Sequence, residues 1–189
     1  MGHSVSISET GSIIAGAWGD LTDVYPGAAF VFNLLSSPPG TPYCFGDGTG
    51  AACPCGNTGS PGEGCANSTG VGAKLAAVST NSVSDGEFAL WTSGLPAGPG
   101  LYFQADNKPN SGNGVPFGDG LRCAGGNVIR LEIRPSTQGL SRTTVPIAVI
   151  GEVSAGDTKH YQLWYRDATN SPCGSGFNLS NGYEVNWMP

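Results

Sequence analysis

Six cysteines, two histidines and a tetrapeptide that occurs twice are the parts of this 189-residue chain with chemistry to offer. The cysteines are Cys44, Cys53, Cys55, Cys65, Cys123 and Cys173, four of them spaced C-x8-C-x-C-x9-C. Structural zinc sites use paired C-x2-C knuckles, so this spacing favours three disulfides, which form in an oxidising compartment. Cys53 and Cys55 would share one face of a strand, too strained to bond each other. They are expected to reach Cys44 and Cys65, leaving Cys123 to pair with Cys173. His3 and His160 have no nucleophile motif beside them; Gly2-His3-Ser4-Val5-Ser6 misses the G-x-S-x-G elbow at its last position. His160 is expected to be a solvent-exposed residue at a strand end. Cysteines used as disulfides supply no thiolate. Fourteen carboxylates are present, but the sequence singles out none as the facing pair that a glycosidase needs. Asp167 is expected to cap a strand and pair with an arginine nearby. The chain is therefore not expected to be an enzyme.

Phe-Gly-Asp-Gly occurs at residues 45–48 and 117–120, each copy beside a cysteine. Asp47 and Asp119, with nearby carbonyls, could contribute to a calcium site, the one cofactor these residues suggest. A glycine-flanked aspartate is first of all a tight turn, however, and no acid-rich spacing completes a ligand set. Aromatics offer a different chemistry. Trp91, Tyr102, Tyr161, Trp164, Tyr165 and Trp187 fall on predicted strands. Trp91, Tyr102, Trp164, Tyr165 and Trp187 are the candidate binding set, because an exposed aromatic row makes a platform on which sugar rings stack. Core filling is the usual fate of such residues. Trp164 and Tyr165 are adjacent, so one must point outward. The sequons at Asn67 and Asn178 fit an extracellular surface.

Apolar residues alternate with polar ones and are punctuated by 31 glycines and 14 prolines; no segment shows sustained helical periodicity. The fold class expected is all-β, an antiparallel, immunoglobulin-like sandwich. Its predicted strands are 74–79, 87–93, 100–105, 126–134, 143–150, 160–166 and 183–188, following a Gly-rich stretch, 44–72, that has almost no apolar residues and so depends on covalent links. Within 128–134, Ile129, Leu131 and Ile133 are expected inside and Arg130, Glu132 and Arg134 outside. Within the last strand, Tyr183, Val185 and Trp187 alternate with Glu184, Asn186 and Met188. Three prolines within residues 36–42 mark a stiff linker. The net charge of −6, with only eight Lys and Arg, argues against nucleic acid, and no apolar run is long enough for membrane insertion. The first residues do not read as a signal peptide. Set against the disulfides, this leads to the expectation of a C-terminal piece of a longer secreted protein.

Residues 1–34 are similar to one FG-GAP repeat of integrin-α-like β-propellers, within an N-terminal unit expected over 1–35. The match lies in Gly2-His3-Ser4-Val5-Ser6-Ile7-Ser8, Ile13-Ile14-Ala15-Gly16-Ala17-Trp18-Gly19-Asp20 and Gly27-Ala28-Ala29-Phe30-Val31-Phe32. The resemblance implies a partial propeller blade at the N-terminus, with Met1 where the family has Phe, and upstream propeller repeats in the parent protein. Where relatives carry an Asp-x-Asp-x-Asp-Gly calcium loop, this chain has Gly19-Asp20-Leu21-Thr22-Asp23-Val24. Residues 43–189 resemble an uncharacterised C-terminal module of large secreted bacterial repeat proteins. The resemblance rests on Cys53-Pro54-Cys55-Gly56-Asn57, Gly64-Cys65-Ala66-Asn67-Ser68, Phe117-Gly118-Asp119-Gly120-Leu121-Arg122-Cys123 and Tyr161-Gln162-Leu163-Trp164-Tyr165-Arg166-Asp167. It implies an extracellular or cell-surface location. The function expected is that of a non-catalytic, structural or adhesive module contacting an extracellular protein or polysaccharide. A carbohydrate-binding module of an exported degradative protein is the alternative.

Overall fold

Alternating β-formers cut by glycine and proline give short strands throughout the computed structural model. It describes residues 38–189 in full and, before them, the backbone of three strands. The chain divides into two compact units, Met1–Ser37 and Pro38–Pro189. In the first, β1 (Val5–Ile7), β2 (Ser12–Ala17) and β3 (Ala28–Asn33) form an antiparallel sheet in the order β1-β2-β3. His3 and the Asp20–Asp23 loop lie outside the described residues.

The second unit holds β4 (Thr41–Tyr43), β5 (Lys74–Val78), β6 (Ala89–Ser93), β7 (Pro99–Ala105), β8 (Val115–Phe117), β9 (Gly120–Arg122), β10 (Ile129–Pro135), β11 (Ser141–Arg142), β12 (Thr158–Arg166), β13 (Phe177–Leu179) and β14 (Gly182–Asn186). A large sheet runs β10-β7-β12-β14-β4, with β13 added to the end of β12; a small one runs β11-β6-β5; β8 and β9 form a hairpin. Every strand pairing is antiparallel. Among the described residues the protein is all-β, with almost no helix. Among the described residues no helix is long and apolar enough to cross a membrane.

Two expected elements take another form. The Pro-rich stretch does not remain a linker throughout, because Thr41–Tyr43 pairs with Gly182–Glu184 at the edge of the large sheet. Pro42 lacks an N–H, and an edge is where a sheet tolerates that. The strand expected at 143–150 is instead broken by Pro146 into a helical turn, α1 (Ile147–Ile150), whose Val149 and Ile150 amides donate back to the Pro146 carbonyl at 3.1 Å.

Residues from both sheets share one hydrophobic core. Leu75, Leu90, Leu163 and Val185 meet the rings of Tyr102, Tyr161, Tyr165 and Trp187. Their polar ends are matched inside. Trp187 Nε1 donates to Tyr161 Oη at 2.9 Å, and Tyr161 Oη donates to Gln104 Oε1 at 2.9 Å. Gln104 Nε2 in turn donates to the Gly151 carbonyl at 2.9 Å. Burial pushes the Tyr161 and Tyr165 phenols far above the ordinary tyrosine range, so both stay neutral.

The opposite face of the central strand β12 is covered too, by a layer of loops drawn from residues 44–72, 114–125 and 168–181. Gln162 on that face is fully buried: its Oε1 accepts from the Cys123 amide at 2.9 Å, and its Nε2 donates to the Leu121 and Ser180 carbonyls at 2.8 and 2.7 Å. Three disulfides fix the layer: Cys44–Cys123, Cys53–Cys65 and Cys55–Cys173. This overturns the Cys123–Cys173 pairing and the confinement of Cys55 to the 44–65 cluster. Residues 53–55 form no strand, so Cys53 turns inward to Cys65 while Cys55 lies exposed and meets Cys173.

Strand β10 also departs from simple alternation. A β-bulge shifts its register to β7 between Arg130 and Glu132. Two residues then oppose one, and everything beyond the bulge changes face. Leu131 is buried in the core, whereas Ile133, expected inside, pairs with Leu101 and is 69% exposed. Glu132 instead reaches the Thr144 amide at 2.7 Å. Leu131→Ala should cost about 2–4 kcal/mol and Ile133→Thr less than about 0.5 kcal/mol. Equilibrium denaturation of the two variants checks this; equal losses would rule out the bulge.

Candidate functional site

The five aromatic candidates are distributed over three levels. Tyr102, Tyr165 and Trp187 are 0%, 2% and 2% exposed and belong to the core, which removes them as a binding platform. Large apolar rings on inward strand positions bury more surface there than any alternative packing offers. Trp91 is half-buried on β6, opposite Ala76 and Arg142, on the face of the small sheet turned away from the core residues Leu90 and Thr92. Trp164 lies on the outer face of the large sheet. No single row unites them.

Around Trp164, however, the large sheet and the loop layer enclose a groove of about 320 Å³. Its floor follows from the antiparallel register. Leu101 on β7 stands opposite Trp164 on β12, Trp164 stands opposite Leu179 on β13, and Phe103 stands opposite Arg130 on β10. The loop layer adds Phe117 and Arg122 from the β8–β9 hairpin, and Val128 joins the lining. Phe177 underpins the wall, with ring centroids 5.5 Å from Trp164 and 5.2 Å from Phe117. The Arg122 guanidinium lies 6.0 Å from the Phe117 ring centroid, and that of Arg166 lies 5.0 Å from Trp164. Of the groove's residues only Trp164 is singled out by its sequence. Phe103, Phe117, Arg122 and Arg130 come together through cross-strand register, with the second Phe-Gly-Asp-Gly copy as the one linear signal.

That motif builds the wall. Gly118 has φ +60°, and a Cβ there would sit 2.2 Å from the Phe177 ring, so glycine allows the two phenylalanines to approach. Asp119 is fully buried and accepts from the Ser171 and Ser175 hydroxyls and from the Cys173 and Ser175 amides, both at 3.1 Å. Asp47 accepts from the Thr49 and Gly62 amides at 3.0 and 2.9 Å. Asp47 and Asp119, the carboxylates of the calcium reading, are thus both engaged by hydrogen-bond donors of the loop layer. Among the described residues no three potential metal ligands gather.

Other polar candidates are structural as well. His160, expected to be exposed, is 5% exposed; burial holds its pKa below the ordinary imidazole value despite Glu184 at 3.7 Å. Asp167 is buried and accepts from the Ser68 amide at 2.9 Å, without the arginine partner expected for it. The sequon amides are engaged inside: Asn67 Nδ2 donates to the Gly94 carbonyl and Tyr165 Oη, and Asn178 Nδ2 donates to the Cys65 and Ala66 carbonyls.

Burial of Asp119 acts to raise its pKa, but the hydrogen bonds from Ser171, Ser175 and Cys173 outweigh it and hold the carboxyl below the ordinary range. A lowered native pKa gives stability that is fully present above the unfolded value, about 3.9, and is lost as pH falls through the native one. Asp119→Asn should therefore cost about 2–4 kcal/mol at pH 7. The difference from the parent protein should shrink well below pH 4. Thermal melts across that range check it; an unchanged melt at neutral pH would contradict the role assigned to Asp119. No protein-family model, curated protein or solved structure matches this chain.

Proposed function

We propose that this protein is a non-catalytic, extracellular adhesive module, a disulfide-stapled β-sandwich of immunoglobulin-like kind belonging to a larger secreted or cell-surface protein with propeller-type repeats. The observation that carries the adhesive part is the aromatic, arginine-edged groove on the outer face of the large sheet. Its floor is rigid because it rests on hydrogen-bonded strands, and its wall is rigid because the loop layer is cross-linked. A preordered concave surface of this kind binds without a large ordering cost. Three disulfides support a location outside the reducing cytosol.

Carbohydrate is the ligand class that suits it best. Phe117 is 43% exposed and Trp164 is half-buried, so each offers part of its ring to a sugar while the rest stays packed. A hydrolytic role finds no support in the placement of His160 and Asp167, both of which serve the interior. The full chain should bind a subset of glycans on an array. Phe117→Ala should weaken that binding about tenfold or more, as loss of one stacking contact would, with the melting temperature changed by only a few degrees. A chain that binds no glycan, or a variant that binds as well as the parent, would refute the proposal.

A further inference from the structure

The charge distribution narrows the ligand class, on the footing that the groove is the binding site. The chain carries eight basic residues against fourteen acidic ones. Among the described residues, Lys108, Lys159 and Arg134 spend their charge on carboxylates, with Lys108 at 2.6 Å from Glu184 and Lys159 at 3.0 Å from Asp106. Arg122, Arg130, Arg142, Arg166 and Lys74 make no ion pair there. Arg122 and Arg130 line the groove, Arg166 lies over its tryptophan, and no carboxylate is among the groove's lining residues. An acidic molecule thus places three of its four unpaired guanidinium groups around one aromatic cleft, the fourth, Arg142, lying opposite Trp91 on the small sheet.

We propose that the groove binds an acidic polysaccharide through a uronic-acid residue, its sugar ring against Phe117 and Trp164 and its carboxylate held by Arg122 and Arg130. Guanidinium suits this role because its planar fork matches a carboxylate and it stacks on aromatic faces. Two observations favour a uronic sugar over other anions. The groove lies on a sheet face, and the edge strand beside it is bulged at Arg130–Glu132, which blunts strand addition by an acidic peptide. The net charge of −6 repels densely charged polymers such as nucleic acid and tolerates a chain whose charges are separated by neutral sugars.

Calorimetric titration of the full chain with hyaluronan and glucuronoxylan oligosaccharides tests this, using carboxyl-reduced counterparts, poly-Glu and poly(U) as comparisons. At least one uronate oligosaccharide should bind. Its affinity should fall about tenfold or more on carboxyl reduction, and by a similar factor in the surface variant Arg122→Gln/Arg130→Gln, as expected for loss of a charge-assisted contact. Salt should weaken it. If carboxyl-reduced sugars bind equally well and Phe117→Ala abolishes that binding, the uronate assignment is overturned while the groove remains a sugar site. If no sugar of either kind binds, both are overturned. Equal binding of poly-Glu or poly(U) overturns the sugar assignment.

Discussion

Strand β12 must be covered on both faces, and the two faces are covered by different physics. Tyr161, Leu163 and Tyr165 turn toward an ordinary apolar core. On the other face Gln162 turns toward loops that contain few apolar residues, with His160 beside the Tyr43 ring and Trp164 beside Phe177. Gln162 is the hinge of that second interface, since a buried amide left unpaired costs a few kcal/mol and here all its contacts go to the loop layer and the strand-end carbonyl of Ser180. Hydrogen bonds of this kind orient a layer but do not hold it, so the disulfides carry the constraint. Loop-closure entropy over separations of 79, 12 and 118 residues corresponds to roughly 3–5 kcal/mol for each bridge taken singly, the longer ones at the upper end.

The groove inherits its shape from the same layer. Half of its wall, Phe117 and Arg122, lies on the β8–β9 hairpin, which leads directly into Cys123 and its bridge to Cys44. The buried carboxylate of Asp119 draws the 171–175 loop against that hairpin, and Cys173 in that loop is tied to Cys55. Covalent links, a saturated carboxylate and close glycine contacts thus act in sequence to set one aromatic wall beside the sheet. The first Phe-Gly-Asp-Gly copy plays a related part: the Gly46 amide donates to the Glu63 carbonyl at 2.8 Å, and a Cβ on Gly46 would lie 2.3 Å from the Cys65 nitrogen.

Much of this was legible in the sequence where local pattern governs. The alternation of Tyr183, Val185 and Trp187 with Glu184, Asn186 and Met188 matches the burial of that segment residue by residue. The all-β class and the three disulfides follow from composition and cysteine count. Legibility fails where one residue's fate is set by a distant partner. Ile133 is exposed because a bulge two residues earlier changes its face, and β-bulges carry no strong local signature. Cys55 finds Cys173 because Asp119 brings its loop near, which spacing within 44–65 does not reveal. Thr41 and Pro42 become an edge strand because β14 offers a free edge. The candidate site was visible only as Trp164, since its other members share a groove through register across β7, β10, β12 and β13.

Cross-links between distant parts of the chain hold the loop layer on β12. Peptide mapping of the non-reduced native protein, with partial reduction to separate Cys53 from Cys55, tests this directly. Linked peptides containing Cys44–Cys123, Cys53–Cys65 and Cys55–Cys173 are the predicted result. A Cys123–Cys173 bridge or free thiols at these positions would contradict it, because the layer would then lack the ties that keep it against the sheet.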